Sequence, residues 1–130
     1  MGRFIVKLMD GAKPYYLEWS TVIDAPVTYG MSLREFREYY RARYGSSGME
    51  ALEKRMERVH EKGTSAMIYE SAEDVVGGYN RAGDGETCLT VEQVIAHYCR
   101  TQKSVAPRGH VHPPDDNRTC AQLAAEQETP

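Results

Sequence analysis

Apolar and polar residues alternate with a period of two at the start of the chain, the spacing of half-buried strands. Phe4, Val6 and Leu8 fall on one face of a first run, with Ile5, Lys7 and Met9 on the other. A second run sets Tyr15, Leu17, Trp19, Thr21 and Ile23 against Tyr16, Glu18, Ser20 and Val22. Asp10 and Gly11 stand between the runs, a strong hairpin signal, and Pro14 keeps the first strand from continuing. The pattern predicts an N-terminal β-hairpin over residues 4–23. A lone hairpin is marginal in water, so its apolar face needs a cover, and Trp19 belongs to that core.

Beyond a loop at residues 24–30, bent by Pro26 and Gly30, the period changes to that of helices. Leu33, Phe36, Tyr40 and Tyr44 form one stripe, and Met49, Leu52, Met56 and Val59 the next. Ala72, Val75, Val76 and Tyr79 follow, then Val91, Val94, Ile95 and Tyr98. Each stripe is preceded by a start signal: Ser32 with Glu35, Ser47 with Glu50, Ser71 with Asp74, and Thr90 with Gln93. Gly45, Gly63, Gly77, Gly78 and Gly83 stand at or near the expected ends, and the Gly77–Gly78 pair can stop the third helix early. Residues 66–69 leave open a short third strand beside the hairpin. The expected fold is therefore α+β: an N-terminal hairpin covered by about four short helices.

The periodicity ends near Arg100. Residues 101–130 hold four of the six prolines and few large apolar side chains, too little to offset the entropy of ordering them. The expected organisation is one domain over residues 1–100 and a flexible, disordered C-terminal tail over 101–130. A single helical turn at 121–126 could form on a partner.

Composition narrows the function classes. A net charge of −3 over 130 residues gives no whole-chain reason to bind nucleic acid or an anionic membrane. No apolar run approaches the roughly 20 residues of a bilayer span, and no signal peptide is evident, so the expected location is the cytoplasm. Three cysteines, Cys88, Cys99 and Cys120, are a poor disulfide framework. Cys88 and Cys99 flank a helix, on the order of 14–16 Å apart, too far for a bridge.

Candidate chemistry is sparse. Cys88, His97 and Cys99, then His110, His112 and Cys120, lack the tight pairs that zinc favours, so no metal or other cofactor is expected. His60 has no nucleophile at a familiar spacing, Glu18 and Asp24 are not an obvious acid–base pair, and residues 81–86 lack a P-loop lysine. No catalytic residue is assigned, and an enzyme is not expected. Arg34, Arg37 and Arg41 line up at i, i+3 and i+7 on the first helix, a candidate phosphate-binding face. The plainer reading is a solvated face with Glu35 and Glu38 as partners. Residues 64–99 are acidic, with Arg81 their one basic residue before the last turn of the fourth helix, a surface suited to a basic partner or simply to water.

Aromatic residues say more. Nine tyrosines are many for this length, and pairs such as Tyr15–Tyr16 and Tyr39–Tyr40 cannot all face one core. Tyr16, Tyr39 and Tyr79 are the candidate anchors for a protein partner.

Residues 16–28, 38–45, 61–65, 80–83 and 89–93 together resemble small uncharacterised proteins of actinobacteriophages and actinobacterial prophages. Arginine outnumbering lysine, with abundant Ala, Gly and Val, fits a GC-rich genome. The resemblance covers about the first hundred residues and carries no catalytic residues over. It implies a phage factor of a kind that often acts by binding a host protein, inside the host cytoplasm. The leading expectation is thus a small non-enzymatic protein-interaction module. The alternatives are a nucleic-acid binder using Arg34, Arg37 and Arg41, or a virion or assembly component, which would form a stable homo-oligomer.

Overall fold

The computed structural model describes residues 2–111, 118–122 and 125. The hairpin forms as its alternation demands. β1 (Arg3–Asp10) pairs antiparallel with β2 (Lys13–Ser20), with Phe4 opposite Trp19, Val6 opposite Leu17 and Asp10 opposite Lys13. Gly11 turns the corner in the left-handed region, at φ 61°, which only glycine reaches without strain. β2 is shorter than its pattern suggested. The chain leaves the sheet after Ser20, and Val22 and Ile23 are exposed in the turn that follows.

The third strand is not at residues 66–69. β3 (Ala25–Pro26) takes that place on the other edge, pairing antiparallel with β2 within what the sequence suggested was loop. Four residues carry too little pattern to fix a strand, and the chain instead meets β1 just upstream. Thr64 bridges Val6, while the Ser65 amide donates to the Ile5 carbonyl at 3.0 Å and the Lys7 amide to Gly63 at 2.8 Å. That closes the outer edge of β1. Met67 and Ile68 are then left at the surface.

Both faces of the sheet are covered, not one. Val6, Leu8, Leu17 and Trp19 pack with Ala72, Val75, Val76, Leu89, Val94, Ile95 and Cys99 on one side. Ile5 and Tyr16 pack with Phe36, Tyr40, Leu52, Met56 and Val59 on the other. Alternation explains the split, because odd and even residues of one strand serve two separate cores. Complete burial of a Leu, Ile or Phe contributes about 1.5–3 kcal/mol, so both layers matter.

The second layer is α1 (Leu33–Lys62), a helical span broken at Gly45. Its first turn carries the expected capping box: the Glu35 amide donates to Ser32 Oγ at 3.1 Å and the Ser32 amide to Glu35 Oε1 at 2.9 Å. Those contacts with Ser32 hold the Glu35 carboxyl below its ordinary range. At Gly45 the backbone takes φ 69° and ψ −163°, a region essentially reserved for glycine. The two arms, 33–44 and 46–62, fold back on each other. Arg37 and Glu53 meet at 2.7 Å, although a straight helix would part residues 16 apart by about 24 Å. The second arm begins directly after Gly45, so Ser47 lies inside it and not at its cap. Gly63 closes the arm with φ 87°, its amide donating to the Val59 carbonyl. Nothing lies within 4 Å of where a Cβ on Gly45 would sit, so only backbone conformation opposes a side chain there. Gly45→Ala is expected to lower stability by about 1–3 kcal/mol, read by urea denaturation.

On the opposite side, α2 (Ala72–Gly78) starts at Ser71, whose Oγ accepts from the Asp74 amide, and ends at the glycine pair, the earlier of the two ends the sequence left open, with Tyr79 extended. α3 (Val91–Val94) carries the Thr90–Gln93 capping box. The expected helix continues beyond it, but residues Ile95–Thr101 form a π-helix. Its wider turn shows in the Gln102 amide, which reaches the His97 carbonyl five residues back at 2.8 Å.

The described part of the tail lies against the domain. The Asp84 amide donates to the Pro107 carbonyl, Cys88 and His110 form an antiparallel bridge, and Cys120 is buried. A helical turn opens at Cys120, capped by Thr119 and Gln122, while residues 123, 124 and 126 of the expected turn at 121–126 lie outside the described residues. No helix among the described residues is long and apolar enough to cross a membrane.

Candidate functional site

Two of the clefts that border α1 follow from the fold-back at Gly45. The first lies between the sheet and the arms, with a volume of about 480 Å³ and walls that include Arg3, Glu18, Arg43, Tyr44 and Arg55. Glu18 is the unusual residue. It points from β2 toward α1, on the same face as Tyr16, and is only 2% exposed. Tyr39 donates its hydroxyl to Oε1 at 2.6 Å, Tyr44 donates to Oε2, and Arg3 approaches Oε1 at 3.4 Å. Burial and the hydrogen bond to Glu18 hold both tyrosine hydroxyls above their ordinary pKa. Arg55 donates to the Tyr40 hydroxyl beside them.

A buried carboxylate beside a cleft often marks a site of catalysis. Here each oxygen is already engaged by a donor and a guanidinium balances the charge. The arrangement fixes the first arm of α1 to the sheet, which is a structural task.

The second cleft lies on the outer side of the arms, with a volume of about 480 Å³. Arg34, Arg37 and Arg41 line it together with Glu38, Ala42 and Met49. The arginine stripe is thus gathered at one place, with an apolar contribution from Ala42 and Met49. Arg34 meets Glu38 at 3.6 Å, a loose and highly exposed pair, and Arg37 meets Glu53 at 2.7 Å. Exposed pairs of this kind contribute about 0–1 kcal/mol and exchange readily for another anion. Arg41 makes no ion pair among the described residues.

The three tyrosines proposed as partner anchors do not share a surface. Tyr16 is 3% exposed and its ring packs 6.3 Å from that of Phe36. Tyr39 is half-buried and tied to Glu18. Tyr79 alone is exposed, at 37%, and its hydroxyl accepts from Arg81 Nε at 3.0 Å. Four of the nine tyrosines go into an inner cluster of Tyr16, Phe36, Tyr39, Tyr40 and Tyr44, with neighbouring ring centroids 4.5–6.3 Å apart.

His97 and Cys99 lie on the π-helix. His97 meets Tyr98 edge-on, and burial lowers its pKa. Cys99 is buried next to the sheet, and that burial pushes its thiol up to about 12. Among the described residues, the ligand-type side chains close enough to share a metal are Cys88, His110 and Cys120, with ligand atoms within 4.8 Å of one another. His112 lies outside the described residues. The acidic stretch supplies one clear ion pair, Glu92 with Arg100 at 2.8 Å.

Comparison with known proteins returns nothing: no family model, no curated protein and no solved structure matches the chain.

Proposed function

We propose that this chain is a non-catalytic binding module that docks an acidic segment of a partner protein in the outer cleft of α1. The observation that carries it is the gathering of Arg34, Arg37 and Arg41 around Ala42 and Met49. Guanidinium forks suit carboxylates, and an apolar floor suits the hydrophobic residues of an amphipathic segment. The setting is the one implied by the resemblance, a phage factor acting on a host protein in the host cytoplasm.

A polyanion is the second reading, since the same guanidiniums fit phosphates. The carboxylates of Glu38 and Glu53 among the arginines weigh against it, as does the net charge of −3. A nucleic-acid footprint is a broad basic surface.

The test uses a labelled peptide of Asp and Glu with interspersed Leu, followed by fluorescence anisotropy, beside a labelled single-stranded oligonucleotide. Arg37→Glu with Arg41→Glu is expected to weaken peptide binding at least about tenfold, or ~1.4 kcal/mol. Lys54→Glu, an exposed charge reversal on the second arm, is expected to leave it nearly unchanged. Tighter binding of the oligonucleotide, with a steep salt dependence, would move the assignment to nucleic acid.

A further inference from the structure

Three segments far apart in sequence converge on one small volume beside α2. Cys88 and His110 sit opposite each other in an antiparallel bridge. The Cys88 amide donates to the His110 carbonyl at 2.9 Å, and the His110 amide donates back at 3.0 Å. Opposed residues of an antiparallel pair project their side chains to the same side. Gly109 makes the approach possible, because a Cβ there would fall 1.7 Å from the Cys88 carbonyl oxygen. Its amide is anchored on Thr87 Oγ1 at 2.8 Å.

Cys120 comes from the other direction, as the first residue of the turn capped by Thr119. The Thr119 amide donates to Gln122 Oε1 at 2.9 Å and the Gln122 amide to Thr119 Oγ at 3.1 Å. The Cys120 sulfur then lies 2.7 Å from that of Cys88 and accepts from the Asn80 amide at 3.2 Å. Both cysteines are buried, and the three ligand atoms lie within 4.8 Å of one another.

We propose that Cys88, His110 and Cys120 bind a zinc-class divalent cation, which clasps the C-terminal tail onto the domain. The donor set is the first argument. Two sulfurs and an imidazole are the ligands zinc selects, whereas a disulfide would need no histidine. The second is the Asn80 amide, aimed at a ligand sulfur as outer-shell donors are in thiolate sites. The third is the tail, which has few apolar residues to hold itself in place and is pinned here by two of the three ligands.

A bound cation takes its cysteine ligands as thiolates and releases their protons to solvent. At Zn–S distances of about 2.3 Å the sulfurs would open to a tetrahedral edge. His110 is only half-buried, so the fourth position goes to water.

The experiment takes the full chain, purified under reducing conditions, and reads its metal content by mass spectrometry. Stripped protein is then titrated with Co(II) and Zn(II). One zinc ion per chain is expected, and Co(II) should give tetrahedral ligand-field bands with thiolate charge transfer. Limited proteolysis should cut between residues 101 and 122 faster after chelation and slower again once zinc is restored. His110→Ala is expected to weaken zinc by more than the roughly 10–100-fold typical of outer-shell changes, and Cys120→Ser to diminish the charge-transfer band. Cys99→Ser, which removes a buried thiol elsewhere, should keep the full spectrum. Two results would overturn the proposal, both readable on the unmodified chain. One is a reduced chain with no zinc and no cobalt bands. The other is Cys88 joined to Cys120 in a disulfide, two hydrogens lighter and indifferent to metal.

Discussion

Asn80→Leu is expected to destabilise the fold by on the order of 4 kcal/mol, the largest effect of any single polar substitution proposed here. Asn80 is 0% exposed and uses the whole of its amide. Nδ2 donates to the Val76 carbonyl at 2.9 Å and to the Leu89 carbonyl at 2.8 Å. Oδ1 accepts from the Leu89 amide at 2.8 Å and the Ala82 amide at 3.2 Å. One side chain thus closes the end of α2 and binds it to the strand-like segment before α3. Leucine has nearly the same size and leaves four buried backbone groups without that partner. At about 1–3 kcal/mol for each unsatisfied group, partly relieved by relaxation, the sum is several kcal/mol. Asn80→Asp is the sharper control, since it keeps both acceptor contacts and sets an oxygen against the Val76 and Leu89 carbonyls. Urea denaturation followed by circular dichroism measures both.

The second large effect concerns Glu18. Replacing Tyr39 and Tyr44 together by Phe leaves a buried carboxylate with Arg3 alone, at 3.4 Å. Hydrogen bonds to a charged group contribute about 1.5–3 kcal/mol each, so the double variant is expected to lose about 3–5 kcal/mol. The same pair sets an alkaline limit. Both hydroxyls have pKa values raised in the folded state, first by burial and then by the bond to Glu18. The folded protein therefore keeps these protons at a pH where the unfolded chain has released them. Their contribution is fully present below about pH 10 and is lost as pH rises through the folded values. Melting temperature should fall above pH 10 in the native sequence, and fall less steeply in the double Phe variant.

These two residues also show where the sequence stopped being readable. The hairpin, the two helical arms and the caps at Ser32, Ser71 and Thr90 were legible because each is a local pattern with a local cause. The break at Gly45 was legible too, as a glycine between two amphipathic stripes. Glu18 was not, because alternation put it on the opposite face from Trp19, and nothing local said that this face was also buried. The partners that satisfy it, Tyr39 and Tyr44, lie 21 and 26 residues away. The same distance hid the fate of the tyrosines. Their number suggested a surface, whereas Tyr16, Tyr39, Tyr40 and Tyr44 fill the layer between the sheet and α1, Tyr15, Tyr69 and Tyr98 pack on the other core, and Tyr29 and Tyr79 are exposed.

Asn80 and the cysteine–histidine cluster were hidden for a related reason. Zinc motifs are recognised by close pairs of ligands, and this cluster has none. Cys88 and Cys120 are 32 residues apart and meet with the help of the bridge that Gly109 permits and the turn that Thr119 starts. The arginine stripe was legible as a helical period. Its apolar floor was not, because Met49 comes from the other arm and arrives only through the fold-back at Gly45.

A chemical-shift titration shows whether the outer cleft of α1 receives an acidic partner segment. The labelled protein would be titrated with the unlabelled Asp–Glu–Leu peptide and its amide and arginine Nε signals followed. Shifts are expected to concentrate at Arg34, Arg37, Arg41, Ala42 and Met49 and to saturate together, with the Glu18 side of the arms undisturbed. Shifts scattered over the surface without saturation, or confined to the cleft around Arg3 and Arg55, would contradict docking in the outer cleft.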